Sequence, residues 1–149
     1  MLIERLRLIV EEGEVAAWAA RLLEGAEDLK DARVGFQPGN LIFEGRLRVP
    51  LAGDVPFRTV WTVEMGGEGR VAVRLTQASA FGWNGGSGFL TGLIMGKVGE
   101  RLAGRPGCAV EGDRVLFDPA LLLAGLPVDV RIRVASVSLE AGRFVLEAD

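Results

Sequence analysis

The chain has 149 residues, a net charge of −3, one cysteine and no histidine. That length suits one domain, residues 1–149, able to bury roughly 68–70% of its unfolded surface without staples. Its charge favours neither nucleic acid nor an acidic membrane, while the missing His and single Cys exclude Cys/His zinc sites, an intrachain disulfide and the commonest general base.

Residues 2–10 alternate, with Leu2, Leu6, Leu8 and Val10 on one face and Arg5 and Arg7 on the other. This predicts a strand. The period then changes. Val15, Trp18, Ala19, Leu22, Leu23 and Ala26 form one helical stripe. Glu11, Glu12 and Glu14 suit the positive end of that helix, and Gly25 suits its end.

A weaker strand over 29–37 turns at Gln37-Pro38-Gly39-Asn40. The strand over 41–51 has the cleanest alternation: Leu41, Phe43, Leu47, Val49 and Leu51 oppose Glu44, Arg46 and Arg48. After a turn at Ala52-Gly53-Asp54, residues Val55, Phe57, Thr59, Trp61, Val63 and Met65 line one face of the next strand. Gly66-Gly67-Glu68-Gly69 turns into Val71, Val73 and Leu75, a strand expected to run to about Phe81. Short turns between such strands predict an antiparallel meander. The polar faces carry Arg46, Arg48, Arg58, Arg70 and Arg74 interspersed with Glu44 and Glu64, as on a solvated sheet exterior.

The glycine-rich link 82–88 leads into residues 88–102. Leu90, Leu93, Ile94, Val98 and Leu102 recur there at helical spacing, with Gly88, Gly92, Gly96 and Gly99 on a neighbouring stripe. Each interior Gly costs a helix roughly 1 kcal/mol relative to Ala, so the stripe predicts close approach to another backbone or to a ligand. Residues 108–117 read as a hairpin around Glu111-Gly112-Asp113. Asp118-Pro119 reads as a helix start running to Gly125. Residues 128–134 alternate, and Ala141-Gly142 turns into a last strand over 143–148.

The fold class predicted is α+β: a curved antiparallel sheet wrapping a central Gly-rich apolar helix, with an additional N-terminal helix. No catalytic motif stands out. The loop 86–92 superficially matches a dinucleotide-binding glycine loop, but its strands are hairpin-linked and that fold needs parallel crossovers. Ser87 has no His to activate it. No enzyme, cofactor or metal is expected. Phe57, Trp61, Phe81, Trp83 and Phe89, with Leu90, Leu93 and Ile94, are the candidate ligand-lining set, because Trp83 and Phe89 flank the glycine link where a mouth could open.

From about residue 45 onward the pattern resembles a small bacterial family of uncharacterised proteins with a tubular lipid-binding (TULIP-like) domain. The resemblance rests on the strand over 41–51, the hairpin over 55–81 and the helix over 88–102. It also rests on Ala109-Val-Glu-Gly-Asp-Arg-Val-Leu-Phe117, Leu123-Ala-Gly-Leu-Pro-Val-Asp-Val130 and the closing hairpin with Gly142. In that superfamily a long curved sheet wraps a helix and leaves an apolar groove. The resemblance implies a lipid or fatty acyl chain as partner and offers no catalytic residues to carry over. Its members are usually exported or membrane-tethered. This chain shows neither leader nor an apolar run of about 18 residues, so a cytoplasmic location is expected, with any membrane contact peripheral. The alternative is a structural or interaction protein: a homodimer with a filled core and no ligand.

Overall fold

The computed structural model describes residues 5–25, 27–51, 53–80, 87–119 and 134–148. Strand β1 (Leu6–Glu11) leads directly into helix α1 (Glu12–Leu22). The strands β2 (Leu29–Gln37), β3 (Asn40–Val49), β4 (Gly53–Met65) and β5 (Val71–Ala80) follow. Helix α2 (Ser87–Leu102) precedes the hairpin of β6 (Cys108–Glu111) and β7 (Arg114–Phe117). Strands β8 (Val134–Glu140) and β9 (Arg143–Ala148) come last. The expected helix over 120–124, the expected strand over 128–133, residues 2–4 and the link 82–86 lie outside the described residues.

The architecture is α+β, and every described strand pair is antiparallel. The strands belong to two sheets, where the alternation pattern led to one. Six strands form a sheet in the order β2-β3-β4-β5-β7-β6, and three form a second in the order β1-β9-β8. Strand pairing between β1 and β9 brings the two ends of the described chain together, a long-range pairing that no local pattern encodes.

The turns follow local chemistry. Gly39 adopts φ +78°, as the second central position after Pro38 requires, and its N–H donates to the Leu139 carbonyl at 2.8 Å, docking the turn on β8. Glu11 caps the start of helix α1, and its N–H donates to the Glu14 carboxylate at 2.9 Å. The expected turn at 52–54 falls earlier: Gly53 already pairs with Val49, and Leu51 stands fully exposed at φ +72°.

Two bulges change which side chains face inward. In β4–β5 the register shifts at Val60/Trp61, so Trp61 opposes Leu75 while Val60 opposes Gln77. The extra residue, Thr76, donates its hydroxyl to the Val60 carbonyl at 3.0 Å. Its insertion puts Ala78 and Ala80 on the face of Val71, Val73 and Leu75. In β8 a shift between Val134 and Ser136 likewise puts Val134, Val137 and Leu139 on one side.

One apolar cluster joins the sheets: Phe36 and Val71 of the six-stranded sheet meet Val10, Leu139, Phe144 and Leu146 of the other. A second joins α2 to the six-stranded sheet: Leu90, Ile94 and Met95 meet Trp61 and Leu75. Arg46, Arg48 and Arg58 are exposed, as their alternation predicts. Arg74 is half-buried and ion-paired with Glu64 at 3.0 Å and Asp113 at 3.6 Å.

The glycine stripe of α2 departs from expectation. Apart from the chain neighbours and the backbone of α2 itself, no described atom lies within 4 Å of where a Cβ would stand at Gly92, Gly96 or Gly99. Two residues turn a 3.6-residue helix through about 200°, so Gly92 and Gly96 point away from the buried Leu90 and Ile94. Close approach occurs elsewhere. At Gly45 a Cβ would sit 3.0 Å from the Lys30 carbonyl oxygen and 3.3 Å from the ring of Phe57, its cross-strand partner. The β2 bulge between Lys30 and Arg33, with Asp31 at φ +54°, presses that backbone onto Gly45.

Candidate functional site

Helix α2 lies against β5 and β6. On its side towards β3 and β4 it leaves a small cavity of about 100 Å³. Phe43, Leu47 and Phe57 line it from the sheet, and Ile94 and Val98 from the helix. The Phe43 and Phe57 ring centroids are 5.6 Å apart with the planes tilted by 55°, a favourable aromatic geometry. Asp28, Lys97 and Arg101 also line this cavity. Sequence reasoning passed over these three: Asp28 sits in a connection between elements, and Lys97 and Arg101 read as ordinary charges on a helix surface.

Of the expected lining set, Phe57 and Ile94 are in this cavity. Phe57, Leu90 and Leu93 also meet at a seam with only about 10 Å³ of free space. Trp61 is taken up by the core. Its indole N–H donates to Thr59 Oγ1 at 2.7 Å, and the Thr59 hydroxyl donates to the Phe43 carbonyl at 2.7 Å. Thr59 is fully buried, so this relay satisfies polar groups that would otherwise be stranded. Phe81 and Trp83 lie outside the described residues, and so does the side chain of Phe89.

Lys97 Nζ and Asp28 Oδ2 are 2.6 Å apart. That hydrogen bond lowers the Asp28 pKa below its ordinary 3.8 against an opposing desolvation, and raises Lys97 above 10.5. A lowered carboxyl contributes stability above its unfolded value and loses it as pH falls through the folded one. A raised amine contributes below its unfolded value and loses it as pH rises through the folded one. The pair therefore stabilises across the neutral range. Asp28→Asn is expected to lower stability there by less than about 1 kcal/mol, as for other partly exposed pairs. Melts from pH 7 down to pH 3 should show the difference shrinking below about 3.8; a constant difference would contradict the assignment.

A larger apolar cavity, about 360 Å³, reaches the C-terminal end of α2 at Leu102 and lies between α1 and the two sheets. Val15 and Trp18 come from α1, Phe36 and Val115 from the six-stranded sheet, Phe144 from β9 and Leu102 from the last turn of α2. Its lining side chains are all apolar apart from the Cys108 thiol. Trp18, 43% exposed, is expected from its stripe to be core but stands at the rim. The period of α1 marks which residues share a face; it does not mark whether the facing sheet fills the space opposite.

Among the described residues no group of three or more Cys, Asp or Glu is placed to hold a metal ion. No described helix is long and apolar enough to cross a membrane. No protein-family model, curated protein or solved structure matches the chain, so the functional reading rests on the chemistry of these cavities.

Proposed function

We propose that the protein binds an apolar ligand of the acyl-chain class on the inner face of its six-stranded sheet, in the manner of tubular lipid-binding domains. One observation carries the reading: the apolar cavity of about 360 Å³ beside α1, within the span of about 300–1,000 Å³ usual for ligand pockets. Sheet and helix faces bury themselves against one another as a rule, and interiors leave few voids larger than water. A wholly apolar space of this size is suited to an apolar occupant.

Cys108, the only cysteine, reports on occupancy because it lines the cavity and is half-buried. Decanol, an uncharged probe, is expected to slow reaction of Cys108 with a thiol reagent by at least fivefold. Val115→Trp should fill the space and abolish that protection. Unchanged reactivity in saturating decanol, with no decanol adduct in native mass spectrometry, would refute the reading. The exposure of Trp18 also suits the alternative, a homodimer that covers the indole. That reading requires a dimer in sedimentation equilibrium and no ligand uptake.

A further inference from the structure

We propose that the smaller cavity, between α2 and strands β3 and β4, is a separate binding site for a short-chain monocarboxylate. The inference goes beyond the acyl-chain reading, since it concerns another cavity and a charged ligand. Ile94, Lys97, Val98 and Arg101 follow the spacing i, i+3, i+4, i+7, so one helix face presents two apolar side chains and two cations to the same cavity. Arg101 lies in the last turn of α2, where a cation complements the helix dipole. Lys97 lies one turn earlier, and both cations stand beside the apolar floor of Phe43, Leu47 and Phe57.

The charges at the cavity do not balance. Lys97 and Arg101 lie four residues apart, where like charges repel. Asp28 supplies one carboxylate against these two cations and is held by Lys97 at 2.6 Å. An ammonium has three donors and a guanidinium five, so donors remain for an incoming anion. The lining side chains carry a residual charge of +1, with Glu100 acting on Lys97 from outside the lining, and this matches a carboxylate better than a phosphate monoester, which carries about −1.5 to −2. Size sets the tail: since a cavity of ~150 Å³ accommodates benzene, 100 Å³ takes about four carbons.

The test compares pentanoate with 1-pentanol by methyl NMR titration of the full chain. Pentanoate is expected to shift the Ile94 and Val98 methyls and to bind at least tenfold more tightly than pentanol. Arg101→Gln and Lys97→Gln should each weaken pentanoate at least threefold and leave pentanol unchanged. Lys97→Arg should retain the preference. A melt on each variant establishes folding; Lys97 is exposed and Arg101 half-buried. Equal binding of the two probes would overturn the charge assignment, as would tighter binding of pentyl phosphate. Shifts confined to the lining of the larger cavity would overturn the location. If decanol still protects Cys108 while pentanoate does not bind, this inference fails and the acyl-chain reading stands.

Discussion

Leu146→Ala is expected to lower the free energy of unfolding by about 2–5 kcal/mol, the usual range for a buried leucine. Leu146 is completely buried in β9, the central strand of the three-stranded sheet, opposite Leu8 and Val137. It belongs to the cluster that holds this sheet to Phe36 and Val71 of the other. Truncation removes apolar surface and leaves a void that paired strands on both sides cannot close. Urea denaturation should show a lower midpoint with an unchanged slope, because the surface exposed on unfolding is nearly the same. Ile9→Ala is the contrast. Ile9 lies in the adjacent strand but is 41% exposed, and the change there should be within about 0.5 kcal/mol. Equal effects at the two positions would mean that the sheets do not pack through this face.

Gly92→Ala and Gly96→Ala are expected to stabilise the protein, by about 1 kcal/mol each and about 2 kcal/mol together. Both glycines are exposed, and beyond the helix's own backbone an added Cβ meets no described atom within 4 Å. The only large effect left is the backbone freedom that glycine gives the unfolded chain, and alanine reduces it. For a chain of this length the double variant should melt about 4–8 °C higher. Even Gly92→Leu should be accommodated, with no effect on decanol uptake. The contrast is Gly45→Ala, where the added Cβ meets the Lys30 carbonyl at 3.0 Å and should destabilise. A lower melting temperature for Gly92→Ala would restore the reading of the stripe as a packing surface.

Much of the fold was legible in the sequence because local chemistry dictates it. Alternation in β3 and β4 placed Phe43, Leu47, Phe57 and Trp61 on one face, and Pro38-Gly39 set a turn. The change of period marked both helices, and the spacing of Leu90 and Ile94 marked the buried face of α2. The bulges had a faint signature in the breaks between Leu75 and Ala78 and between Val134 and Val137, where same-face residues fall three apart. The candidate site was only partly legible. Phe57 and Ile94 line a cavity, whereas Trp61 is bound into the core by Thr59.

What the sequence determined by itself is therefore the set of elements and the face each one buries, because periods of 2 and 3.6 are properties of single segments. Tertiary structure alone decided the partners. It paired β1 with β9, separated the strands into two sheets and set α2 against β5 and β6. It turned the glycine stripe outward, brought Asp28 to Lys97 and gathered Trp18 and Cys108 around one cavity. Those contacts join residues far apart in the chain, and cavities are whatever volume the docked elements fail to fill, so neither leaves a periodic trace in any one segment.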